Sequence, residues 1–101
     1  MRMIVFFDLP TETAKQRRDY TRFRKYLLKS GFMMIQESVY SKIALNQTVI
    51  NSVSGGLQKN KPEKGLIQVM VVTEKQYSKM EYILGDYQGD IITSDERFIE
   101  L

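Results

Sequence analysis

Residues 66 to 72, Leu-Ile-Gln-Val-Met-Val-Val, constrain the fold of this chain more than any other stretch. Alternate side chains of a strand point to opposite faces. Ile67, Val69 and Val71 then line one face, and Leu66, Met70 and Val72 the other. A strand with two apolar faces needs cover on both, so residues 65 to 73 read as a central strand. The chain has 101 residues, enough for one domain with a modest core. A chain of this length can cover one sheet face with helices but has no second helical layer. The simplest cover for the remaining face is another copy of the same chain.

Around that strand the pattern alternates. Residues 2 to 8 read as a first strand, apolar on both faces, and too short for a signal peptide. Pro10 breaks the chain. Thr13 with Gln16 three residues on forms a capping-box pattern, which opens a helix over Ala14 to Ser30. Gly31 stops it. Its apolar seam is Tyr20, Phe23 and Leu27. Residues 32 to 43 are extended and contain no Gly, Pro or Asn-Gly turn signal, which leaves one bent strand and two strands as open alternatives. A second helix is expected between Asn46 and Lys59, weakened by Gly55-Gly56, and then a polar loop from Asn60 to Lys64. Glu74 to Leu84 reads as a short helix, Gly85 to Gly89 as a turn, and Arg97 to Leu101 as a final extended piece. The order is compatible with an α+β, ferredoxin-like βαββαβ sandwich over residues 1-92, with a tail strand over 93-101.

Composition narrows the chemistry. The chain has no cysteine and no histidine. That excludes disulfides and thiolate nucleophiles, fits a reducing cytoplasm, and removes the usual base near neutral pH. Any metal chemistry must use oxygen ligands, which points to magnesium or manganese. No apolar run is long enough to cross a bilayer, so no membrane partner is expected. No Gly-rich phosphate loop, Ser-His-Asp set or paired-carboxylate motif is present. The strand over 65 to 73 also lacks the exposed aromatics of an RNA-recognition motif.

The net charge of +3 hides an asymmetry. Lys15, Arg17, Arg18, Arg22, Arg24, Lys25 and Lys29 face a single acid, Asp19, within the first helix. From Glu81 onward acids dominate, with Arg97 alone against them. A basic helix and an acidic tail suggest two partners of opposite character. Lys15, Arg18, Arg22, Lys25 and Lys29 recur at helical spacing as one row, nearly opposite the apolar seam. Arg17 and Arg24 form a second row on its flank. Charged helix faces usually mix signs for pairing across a turn, and this one does not. A row without interleaved aromatics suits the backbone of a duplex better than a stacked single strand. Asp8, at the end of the first strand, could stand at the rim of a metal site, or simply cap a turn. In the tail, Phe98, Ile99 and Leu101 carry apolar side chains among Asp95, Glu96 and Glu100, and an extended tail of this kind suits adding a strand to a partner's sheet edge.

The string Ile4-Val5-Phe6-Phe7-Asp8-Leu9-Pro10 resembles the first strand of the CRISPR-associated protein two family. Gly31-Phe32 followed by Ile35-Gln36-Glu37-Ser38-Val39-Tyr40 is similar to that family's Gln-x-Ser-Val-aromatic motif, and Gly65 to Glu74 to its late core strand. The Asp-Leu-Pro start, long basic helix and tail look most like members from type II systems. The resemblance implies a homodimer with facing sheets, flanked by two copies of a CRISPR integrase subunit. Together they would capture a short double-stranded DNA and insert it as a new spacer. Some members are described as magnesium-dependent endonucleases acting on RNA or DNA, a role that carries onto Asp8 as catalytic metal ligand. Backbone contact carries onto Arg17, Arg18, Arg22 and Arg24, in the region that also holds Lys15 and Lys25. Two departures, Phe7 for a tyrosine and Met34 for a basic residue, are expected to strip polar groups from around the metal position. They weigh toward a DNA-binding scaffold and away from the rival reading, a toxin-like metal-dependent nuclease acting alone.

Overall fold

A computed structural model describes residues 1–86. The first strand, β1, runs over Arg2–Asp8. Helix α1 covers Ala14–Lys29. Its capping box forms as expected: the Thr13 hydroxyl accepts the Gln16 backbone N–H, and the Gln16 side chain accepts the Thr13 N–H, both at 3.1 Å. Past the C-cap Ser30, Gly31 takes a φ of 95°, the left-handed conformation that glycine adopts without a Cβ penalty.

Residues 32 to 43 are two strands, β2 (Met33–Gln36) and β3 (Val39–Ile43). The turn between them is Glu37-Ser38, with Ser38 at φ 67°. A serine in the left-handed region carries no sequence flag, which is why the hairpin could not be told from a bend. Helix α2 spans Gln47–Asn60, capped by the Asn46 side chain, which accepts the Val49 N–H at 2.9 Å. Strand β4 is Leu66–Val72, and α3 is Glu74–Ser78, shorter than the expected run to Leu84. The expected tail strand, the boundary at residue 92 and most of the expected turn over Gly85 to Gly89 lie outside the described residues.

The strands form one antiparallel sheet in the order β2-β3-β1-β4, the ferredoxin-like arrangement. The core lies on its helical face. Met3, Val5 and Phe7 of β1 and Tyr40 of β3 pack against Phe23 and Leu27 of α1 and Ile50 and Leu57 of α2. Phe7 is the hub, with ring centroids 5.3 Å from Phe23, 5.6 Å from Tyr40 and 5.9 Å from Tyr20.

The position of β4 corrects the reading of residues 65 to 73 as a central strand: among the described residues it stands at the sheet edge and pairs only with β1. Its faces divide as expected, with Ile67, Val69 and Val71 in register with the core residues Phe7, Val5 and Met3. Yet Leu66 is 55% exposed, Met70 48%, Val69 41% and Val71 39%. A doubly apolar strand reads the same whether its own chain or another molecule covers it. The helices reach only as far as Ile67, which is packed against the core.

The sheet face turned away from α1 and α2 is partly covered by α3. There the buried Arg2 donates through Nε and Nη2 to the Glu74 carboxylate at 3.0 and 2.8 Å, and its guanidinium lies 4.1 Å from the centre of the Tyr77 ring. Among the described residues no helix is long and apolar enough to cross a membrane.

Candidate nucleic-acid interface and the Asp8 pocket

Helix α1 turns Phe23 and Leu27 into the core and leaves Lys15, Arg18, Arg22, Lys25 and Lys29 exposed along its outer face. Over these residues the row is roughly 21 Å long at 1.5 Å per residue. The seven cations of the helix are not equivalent. Arg18, Lys25 and Lys29 make no hydrogen bond or ion pair among the described residues. Arg22 stands 3.8 Å from Asp19, a loose contact. Lys15 is held by Asp19 at 3.0 Å and by Glu63 at 3.5 Å. The hydrogen bond that Lys15 donates to Asp19, with the charges of both acids, holds the Lys15 ammonium above its usual range.

The flanking row is engaged with the protein itself. Arg17 donates through Nη1 to the backbone carbonyls of Thr11 and Glu12, each at 3.1 Å, and so ties the β1–α1 loop to the helix. Arg24 sits beside the hydroxyl of the buried Tyr40. Burial pushes that hydroxyl up, while the Arg24 guanidinium pulls it the other way. Within the outer row, Arg18, Lys25 and Lys29 are therefore the cations without a partner among the described residues.

Asp8 is exposed at the end of β1, in register with Leu66. It opens on a pocket of about 170 Å³ whose other polar members are Ser38 and Gln68, with Phe6, Phe7, Val39 and Leu66 as apolar members. The Phe7 N–H donates to the Ser38 carbonyl at 3.0 Å and ties the β2–β3 turn to β1. Gly65 closes the same corner. A Cβ there would stand 2.9 Å from the Asp8 carbonyl oxygen and 2.6 Å from Leu9 Cδ2. The available donors, a carboxylate, a hydroxyl and an amide oxygen, are of the type magnesium takes. They include one carboxylate only, and the described residues hold no cluster of three His, Cys, Asp or Glu. The described residues of one chain therefore do not by themselves fit a divalent ion.

Of the two departures from the family pattern, Phe7 borders this pocket and Met34 does not. The Phe7 ring lies in the core on the helical face, and Met34 sits on β2 opposite Tyr40. Neighbours along a strand point to opposite faces, so the residue before Asp8 addresses Tyr20 and Tyr40 instead.

The family model for CRISPR associated protein Cas2 matches residues 1–80. The chain belongs to the Cas2 family. A Treponema denticola relative, "CRISPR-associated endoribonuclease Cas2", is 54% identical over 101 residues, the full length of both chains. A Streptococcus mutans relative of the same description is 46% identical over all of this chain and 93% of its own length. A crystal structure of Streptococcus pyogenes Cas2 at pH 6.5 superposes with a TM-score of 0.66, over 84% of this chain and 100% of that one. At 21% identity that likeness speaks to the fold alone.

Within this Cas2 chain, sequence reasoning passed over Ser38 and Gln68 as pocket residues. Gln68 carried a usable signal, as the one polar side chain inside an otherwise apolar strand. The Arg2–Glu74 pair had none: its members are 72 positions apart and meet only because β1 and β4 pair. Phe98, Ile99 and Leu101 lie outside the described residues.

Proposed function

We propose that this chain is the scaffold subunit of CRISPR adaptation, a homodimer that holds a short DNA duplex along α1 while an integrase subunit inserts it as a new spacer. The observation that carries this reading is the outer face of α1: a continuous row of exposed cations, with Arg18, Lys25 and Lys29 unpartnered among the described residues. Such a row neutralises phosphates and releases their counterions, and it fixes position without reading bases. The half-exposed apolar side chains of β4 support a second copy as their cover. The same reading gives Phe98, Ile99 and Leu101 to integrase docking. Deleting residues 94 to 101 is then expected to abolish integrase binding and leave the dimer intact.

The test is insertion of a labelled duplex into a target array by the assembled complex. Arg18→Glu with Arg22→Glu is expected to abolish insertion, because each change turns attraction to phosphate into repulsion. Asp8→Ala is expected to leave it largely intact. A dimeric Asp8→Ala protein that inserts nothing would overturn this ordering.

A second reading, an endoribonuclease, is favoured by the Asp8 pocket and by the description of the relatives as endoribonucleases. Two copies would bring two Asp8 carboxylates. RNA cleavage by the isolated protein with magnesium or manganese, lost in Asp8→Ala, would establish it.

A further inference from the structure

We infer that the loop between α2 and β4 is a second phosphate-contacting patch, in which Lys61 and Lys64 carry the α1 row past its N-terminal end along the backbone of the same duplex. This rests on the duplex reading proposed above and extends its footprint to a second element.

The loop and the first turns of α1 are neighbours. Lys15, Gln16 and Asp19 line one side of a cleft of about 160 Å³, and Pro62, Glu63 and Lys64 line the other. Lys15 Nζ reaches Glu63 across it at 3.5 Å. The end of the helical row is thus in contact with the loop, and Lys64 is the other cation lining that cleft. Lys64 has no ion pair or hydrogen bond among the described residues. Lys61 has only a hydrogen bond to Gln58 Oε1 at 3.3 Å. Both lysines are exposed.

The backbone that carries them is held. Pro62 restricts the loop from within. Gly65, at φ 121°, is pressed so closely on Asp8 and Leu9 that a side chain would collide with them. Cations presented from a fixed backbone lose less freedom when they meet a ligand than cations on a floppy loop. The one acid in this loop, Glu63, stands against Lys15. In the free protein it occupies the place that a phosphate at Lys15 would take.

The geometry fits a long polyanion. The α1 row covers roughly 21 Å, about six base-pair steps at 3.4 Å each. The loop lengthens it at the end nearest Asp8, and a ligand that touches both elements must be extended and charged along its length. A small anion would need only one.

The test is a salt titration of binding to a fluorescently labelled, blunt-ended DNA duplex by the full-length protein. The variants are Lys61→Ala with Lys64→Ala, Arg18→Ala with Arg22→Ala, Glu63→Gln, and Lys75→Ala with Lys79→Ala as a control of equal charge change on α3 and its C-cap. Each lost phosphate contact is expected to flatten the log–log salt slope by about 0.9. The loop pair is expected to flatten it like the α1 pair, Glu63→Gln to tighten binding, and the α3 pair to change little. A loop pair that behaves like the α3 pair would overturn this inference and leave the α1 reading standing. Absence of salt-dependent duplex binding by the unaltered protein would overturn both. All substituted side chains are exposed, and matching thermal melts would confirm that each variant is folded.

Discussion

Gly55 and Gly56 are adjacent in α2 but meet different surroundings. A methyl group at Gly55 has nothing within 4 Å, whereas one at Gly56 would run into the hydroxyl of Tyr26 on α1. Glycine inside a helix costs about 0.5–1 kcal/mol relative to alanine. Gly55→Ala is therefore expected to stabilise the protein by about that amount. Gly56→Ala is expected to destabilise it, because forcing extra volume into a packed contact costs about 1–3 kcal/mol. Tyr26→Phe removes the clashing oxygen and leaves ring carbon Cζ at 3.4 Å, an ordinary contact. Gly56→Ala should therefore be rescued in a Tyr26→Phe background. Urea midpoints of the four proteins and the double variant decide it, and a Gly56→Ala penalty that persists without the hydroxyl would refute the contact. From sequence, this Gly-Gly pair read only as a weak spot in a helix. That one member makes room for a tyrosine depends on how α1 and α2 approach each other, which no local pattern records.

At the scale of elements, α3 is pinned by a buried arginine. The Arg2 guanidinium donates to Glu74 and holds its carboxyl below the ordinary value of 4.5. A carboxyl whose pKa falls on folding adds stability above its ordinary value and loses it as the pH drops through the folded value. Glu74 is half exposed, so the effect is expected to stay under about 1 kcal/mol. Stability should fall as the pH is lowered below 4.5, and Glu74→Gln should flatten that fall in urea titrations. An unchanged pH profile in Glu74→Gln would remove the pair from the account. The elements differ in how far they could be read in advance. The start of α1 was legible because the Thr13–Gln16 capping box is a local motif with a local cause. The hairpin at Ser38 was not, because its turn uses a left-handed serine in place of glycine or asparagine. The outer face of α1 was legible as a row of cations, but not which of them are spent on the protein. Arg17 and Arg24 differ from Arg18 in their partners, loop carbonyls for Arg17 and the Tyr40 hydroxyl for Arg24.

For the molecule as a whole, the decisive feature is β4. Its apolar pattern announced a need for cover on two faces. Its place at the sheet edge shows that the described part of the chain supplies little of it on either. The isolated protein is expected to be a dimer by light scattering after size exclusion at micromolar concentration. An 11.8 kDa monomer there would sink the packing argument. If a second copy seals β4, folding and association are one equilibrium, governed by mass action. The unfolding midpoint would then climb with protein concentration, and refolding would acquire a second-order phase. Copy number in the cell would become a structural variable. A scarce chain would be partly unfolded and open to proteases, and an abundant one would be protected by its own kind.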